Sequence, residues 1–275
     1  MASDSPDKPA TLPSDLWASL RRFTTARIGL ARSGASLATA AVLDMRLAHA
    51  RARDAVHESL DEPKLRADLA QLGLPVPTVA SAVRDRQHYL MRPDLGRQLA
   101  ADTETMLARH RSGGHDVVFL IADGLSARAV QQHAHPVLSE VIPVLRSEHW
   151  RIGPLAIARH GRVALGDAVA ALLGADIGVT LIGERPGLSA PDSMGAYLTY
   201  APNPQTTDAD RNCISNIRPE GIGYADAAFK LFHLLRAIRA NRLSGVRLKD
   251  ESDRYCFTTS LLSPSSAKPV PPPRR

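Results

Sequence analysis

The chain has 275 residues, of which 44% are apolar, 23% charged and 4% aromatic, enough length and apolar content to bury a core without disulfide or metal staples. Its net charge of +6 is spread evenly, with sixteen basic against thirteen acidic residues over 1–112 and eighteen against fifteen over 113–275. Nucleic-acid binders gather basic residues on one face and add aromatics where they grip single strands, so no nucleic-acid partner is expected.

No window comes near the roughly 18 uninterrupted apolar residues of a spanning helix, and no membrane partner is expected. The first 20 residues lack an apolar core of signal-sequence length. Two cysteines, Cys213 and Cys256, lie 43 positions apart and read as reduced thiols. Together these features point to a cytoplasmic compartment.

Residues 1–14, MASDSPDKPATLPS, are rich in Pro and Ser and read as a disordered arm. Residues 15–111 form an N-terminal helical region. It opens at SDLWASLRRFTTARI with Ser14 as a cap, and continues through an Ala-rich run in which Leu43, Leu47 and Ala50 recur at helical spacing. Pro63, Pro75, Pro77 and Pro93 cut this region into several short to medium helices, with strands a minority.

The pattern changes at Ser112-Gly113-Gly114, a linker, and residues 112–260 read as an α/β domain. Val117 to Ala122 is a continuous apolar run suited to a strand buried on both faces. Asp123-Gly124 turns the chain into a helix from Ser126 to His133. Further strands are expected over 153–158, 178–183 and 195–201, with helical patterns at PVLSEVIPVLRSEHW, GDAVAALLGA and YADAAFKLFHLLRAIRANRL. Alternating strands and helices imply an open, mostly parallel, Rossmann-like sheet with helices on both faces. Residues 261–275 form a Pro-rich tail.

In such a sheet a ligand binds beyond the carboxyl ends of the strands. That rule selects Asp123 to Ser126, His160 to Val163, Gly183 to Gly187 and the polar segment 206–221, which are expected to line one crevice. Each candidate has two readings. Asp123 either caps the next helix or faces a ligand. Arg162 and Arg185 are either surface charges or partners for carboxylates. Glu184, held between Gly183 and Arg185-Pro186-Gly187, is either aimed at a ligand or paired with Arg185 or Arg211, and Cys213 is either a contact residue or an inert small one.

No G-x-G-x-x-G follows a strand, and neither a G-x-x-x-x-G-K-[ST] loop nor a G-x-S-x-G elbow occurs. The pairs His49 and His57, and His133 and His135, lack zinc-ligand spacing and have no cysteine pair nearby. No metal ligand or autonomous catalytic group is assigned. A stand-alone small-molecule-binding or transferase-type protein would have to draw its base or nucleophile from Asp123, Ser126 and Asp167.

Seven blocks carry a resemblance: HARARDAVH (49–57), SAVRDRQHYLMRPDLGRQL (81–99), IADGLSARAV (121–130), GRVALGDAVA (161–170), LIGERPGLSAPDSMGAYLTYAP (181–202), TDADRNCISNIRPEGIGYADAA (207–228) and LSGVRLKD (243–250). In this order, from about Thr25 to Asp250, they resemble the small (light) subunit of adenosylcobalamin-dependent ethanolamine ammonia-lyase. The resemblance implies a hetero-oligomer in which a large TIM-barrel subunit carries the radical conversion of ethanolamine to acetaldehyde and ammonia. The small subunit would supply an α/β domain that covers part of the adenosylcobalamin at the interface.

The family's cobalamin contacts carry over to Val163 in GRV, Glu184 in GERPG and Cys213 in RNCISN. A corrin is a broad apolar disc rimmed with amides, which suits an apolar side chain, an acceptor and a small residue allowing close backbone approach. The sequence has no Asp-x-His-x-x-Gly motif, so the cofactor is expected to keep its own lower base on cobalt. Arg51, Arg53, Asp54, Arg84, Asp85, Arg86, Arg92 and Arg97 are either a surface for the large subunit or a solvated face with internal ion pairs. Work inside a bacterial microcompartment is compatible with the family.

Overall fold

A computed structural model describes residues 15–111 and 114–252; the arm over 1–14, Ser112 and Gly113, Cys256 and the tail over 261–275 lie outside the described residues. The chain divides into two compact units between Arg51 and Ala52.

In the first unit, helix α1 (Asp15–Arg21) is followed by a two-stranded hairpin, β1 (Arg32–Ser33) and β2 (Ser36–Leu37), and by the start of α2 (Thr39–His57). Arg21 Nε donates to the Ile28 carbonyl at 3.0 Å, and Arg27 pairs with Asp44 at 2.9 Å. The recurrence of Leu43 and Leu47 does mark a helix. Their side chains nevertheless remain 58% and 50% exposed instead of entering a core.

The second unit contains α3 (Glu62–Ala70), β3 (Thr78–Ala80), α4 (Arg86–Met91), α5 (Thr103–Ala108), β4 (His115–Ala122), α6 (Ala127–Ser147), β5 (Ile152–Arg159), α7 (Val163–Leu173), β6 (Ala175–Gly183), β7 (Met194–Tyr200), β8 (Arg211–Ile217) and α8 (Tyr224–Asn241). Six strands form one sheet in the order β3-β5-β4-β6-β7-β8. β3, β5, β4 and β6 are parallel, while β7 runs antiparallel to both neighbours.

β4 is buried at all eight positions, as a central strand covered on both faces must be. The chain leaves β4 through α6 to reach β5 on one side, then crosses back through α7 to β6 on the other. Right-handed crossovers in opposite directions put those two helices on opposite faces. One core cluster accordingly joins α3, α6 and α8 to Phe119, Leu155, Val179 and Leu198. The other joins α5 and α7 to Val118, Leu120, Ala156 and Ile182. The sheet is thus open, mostly parallel and covered on both faces.

Three features differ from the sequence reading. β3 and its flanking helices, from the stretch read as a helical region, belong to the same compact unit as the sheet. The helix expected at Ser126 to His133 runs on to Ser147 through Pro136 and Pro143, because ten of its side chains are buried and tertiary packing outweighs two missing backbone donors. Residues 211–217, read as part of a polar loop, form strand β8. Only Ile214 and Ile217 of β8 enter the core, so its apolar signal is weak.

β8 closes one edge of the sheet. The Asn212 side chain donates to the carbonyls of Gly245 and Leu248 at 3.3 and 2.9 Å and accepts from Gly245 N at 2.8 Å. Ile222 N donates to the Asn216 carbonyl at 2.9 Å at the strand's other end. At the opposite edge, β3 has only three residues. Ala82 N and Ala100 N there donate to the carbonyls of Gln98 and Ala80, both at 2.9 Å.

Candidate functional site

Strand alternation sets the two faces of β7. Met194, Ala196 and Leu198 enter the core beneath α6 and α8, which leaves Gly195, Tyr197 and Thr199 on the α7 side. Thr180, Tyr197 and Cys213 are direct cross-strand neighbours on that side. Thr180 Oγ1 donates to the Val163 carbonyl at 3.4 Å, and Val163, the first residue of α7, packs with Tyr197 against the same core cluster. Gly166 lies one turn on, where a methyl group would fall onto Thr180 Oγ1. This glycine lets the start of α7 sit directly on β6.

Val163 and Cys213 therefore bracket a row running through Thr180 and Tyr197. Cys213 is solvent-exposed. The desolvation it does experience beside Tyr197 pushes its thiol up, the hydrogen bond with Tyr197 opposes this, and the charge of Glu184 adds to it. The Tyr197 hydroxyl is raised well above the ordinary phenol range, first by burial and then by Cys213 and Glu184.

Glu184 directly follows β6, and its backbone N–H donates to the Ser193 carbonyl at 3.0 Å. Its carboxylate accepts from Ser215 Oγ at 2.5 Å and from Asn216 N at 3.2 Å. It lies over Gly195, where an added Cβ would come within 2.9 Å of Glu184 Oε1 and 3.2 Å of the Tyr197 ring. Neither Arg185 nor Arg211 is its partner. Arg185 is exposed, with no ion pair among the described residues. Arg211 is buried between Asp167, with Nε 3.1 Å from Oδ2, and Asp208, at 2.5 Å.

The loops fall into two groups of side-chain contacts. A methyl group at Gly183 would strike the carbonyls of Ser126 and Asp123, and Leu125 N donates to the Gly183 carbonyl at 3.0 Å, so the β4–α6 turn is seated on the end of β6. Glu184 faces β8, whereas Asp123 belongs to a separate buried group. The Asp123 carboxylate accepts from Gly161 N at 3.3 Å and lies 3.8 Å from Arg86. Burial raises the Asp123 carboxyl and lowers the neighbouring His160, although backbone donors and Arg86 oppose the shift at Asp123. Asp123 accordingly makes no side-chain helix cap, and it ties the β5–α7 turn instead.

Arg162 pairs with no carboxylate among the described residues. Its guanidinium lies 4.1 Å from the Tyr89 ring centroid and donates to the Tyr89 carbonyl at 3.3 Å. Arg86 turns inward to donate to Val56 and Gly124 carbonyls, both at 2.7 Å, whereas Arg53 and Arg92 pair with Asp54 and Asp94 on the surface. Ser126 Oγ donates to the Pro191 carbonyl at 3.1 Å. Asp123, Ser126 and Asp167 are thus each committed to a different partner, and they form no nucleophile–base constellation.

Sequence reasoning missed Tyr197, Ser215 and Asn216. The alternation Gly195, Tyr197, Thr199 was a legible sign of a second face on β7. Ser215 and Asn216 were hidden because their segment did not read as a strand.

The family model for the ethanolamine ammonia-lyase light chain (EutC) matches residues 14–249. Curated relatives named ethanolamine ammonia-lyase small subunit include one from Ralstonia nicotianae, 49% identical over 92% of this chain and 95% of its own length. Another from Azotobacter vinelandii is 52% identical over 86% and 89%. A third from Rhodopseudomonas palustris is 54% identical over 85% and 89%. A match that spans both chains nearly end to end, and includes every segment that builds the β6–β8 face, shows that this chain belongs to the ethanolamine ammonia-lyase light-chain family.

Proposed function

We propose that this chain is the light subunit of a heteromeric ethanolamine ammonia-lyase and that its β6–β8 face holds one side of the cofactor at the junction with a large TIM-barrel subunit. The name of the family implies a heavier partner. The carrying observation is the seat over Gly195, where a carboxylate is held by β8 donors beside an exposed thiol and a half-buried tyrosine.

These residues fit a corrinoid. Val163 and the Tyr197 ring offer apolar surface, Glu184 retains lone pairs for amide N–H donors, and Gly195, having no side chain, makes room for that carboxylate. Adenosylcobalamin, when bound, supplies the radical that starts deamination of ethanolamine. The part of this chain is to bind and orient the corrin rim and to exclude water from one side. No Asp-x-His-x-x-Gly motif is present, and we assign the lower cobalt position to the cofactor's own base. An EPR spectrum of the loaded heteromer made with 15N-labelled protein and unlabelled cofactor should therefore show no coupling from a protein nitrogen.

The decisive experiment is reconstitution with a large subunit. Turnover of ethanolamine is expected only from the mixture, and activity in the isolated chain would defeat the proposal. Glu184→Gln should assemble normally yet weaken cobalamin retention about tenfold, the effect of losing one charge-assisted hydrogen bond. Unchanged retention would remove Glu184 from the binding face.

A further inference from the structure

β7 and β8 pair in register from Thr199 opposite Arg211 to Ala196 opposite Ile214, and pairing resumes with Met194 opposite Ile217. Two steps along β7 are thus matched by three along β8, which is a β-bulge at Ser215 and Asn216. Asn216 takes a left-handed backbone there, with φ of 60°. On a regular strand Ser215 and Asn216 would address opposite faces of the sheet. Ser215 keeps the face of Cys213, two residues before it, and the bulge releases the Asn216 backbone N–H from the β7 ladder, so that this N–H and the Ser215 hydroxyl both donate to one carboxylate, that of Glu184.

The bulge is itself held from behind. Arg218, whose side chain is 9% exposed, donates through Nε to Asn216 Oδ1 at 3.2 Å. Ile222 N donates to the Asn216 carbonyl, and Gly221 is packed so closely on Asn216 that a methyl group would collide with its carbonyl. The exposed Ser215 adds nothing to the core. Its hydroxyl has one evident consequence, fixing which lone pairs of Glu184 are occupied and which point away from β8.

We infer that Ser215 is a positioning residue for Glu184, and that the bulge exists to aim the carboxylate at the ligand. This rests on the proposed role of Glu184 in binding. Binding of cyanocobalamin, which cannot turn over, to the full-length chain assembled with its large subunit tests it by equilibrium dialysis. Ser215→Ala should raise the dissociation constant about fivefold, leave the thermal midpoint and subunit stoichiometry unchanged, and be rescued to within about twofold by Ser215→Thr. In a Glu184→Gln background the same alanine should add less than about twofold, since its effect passes through Glu184.

If Glu184→Gln weakens binding while Ser215→Ala does not, the positioning role is wrong and the binding face stands. If the two effects multiply independently, or Ser215→Ala lowers the thermal midpoint without changing affinity, Ser215 does not act through Glu184. If Glu184→Gln changes nothing, the underlying reading fails and this inference fails with it.

Discussion

Burial decides what each charged side chain can do. Arg211 and Asp167 are 3% and 8% exposed, and each is the other's main compensation for leaving water. Asp167→Ala should cost about 1–3 kcal/mol in urea unfolding because the buried guanidinium keeps only the exposed Asp208 as its partner, whereas replacing both Asp167 and Arg211 with apolar residues should recover much of that loss. Asp116 gives a pH signature. Burial alone would raise its carboxyl, but the Arg151 backbone and guanidinium, with Arg239, overcome this and hold it below the ordinary range. Its folded-state value lies below its unfolded one, so its contribution is complete above the usual carboxylate range and vanishes as pH falls through the depressed value. Asp116→Asn should therefore lower stability by a constant amount at neutral and alkaline pH and flatten the acid limb of the profile. At this scale the sequence was half legible. The glycines and proline around Glu184 signalled a directed carboxylate, but its donors lie 31 and 32 positions away, at distances no local pattern encodes.

Elements that obey a simple period were readable, and those that break it were not. β4, β5, β6 and β7 are continuous apolar runs bounded by turn residues, and each was expected within about three residues of its observed ends. β8 shows no alternation of buried and exposed residues before its bulge, and the bulge breaks the period of two. β3 has three residues, too few for any period. Both escaped notice for physical reasons. The glycines at strand ends have a measurable purpose: Gly183 lets the β4–α6 turn rest on β6, and the obstructing atoms are backbone carbonyls that cannot rotate away. Gly183→Ala should lose about 1–3 kcal/mol by overpacking, whereas Gly174→Ala, with open space around it but a φ of 67°, should lose about 1 kcal/mol from backbone strain alone. Chemical denaturation of the two variants would separate steric from conformational cost.

At the scale of the molecule, both core clusters draw their buried residues from Leu60 to Ile238, and none comes from 15–51. A chain beginning at Ala52 should accordingly unfold in one cooperative transition, within about 4 °C of the full chain's midpoint, corresponding to about 1 kcal/mol at this size. A broad or much earlier transition would show that the first unit contributes to that stability. The Asn212 amide and the turn at Ile222 flank one outer strand, while the opposite one is three residues long and bonded to residues 98–100. A foreign strand therefore has little main chain on which to zip, and ribbon-like growth of the kind that drives edge-to-edge polymerisation is blunted at both rims. Recruitment into a larger particle must proceed through side chains and loops, which confines recognition to surfaces where sequence, not generic backbone, chooses the companion.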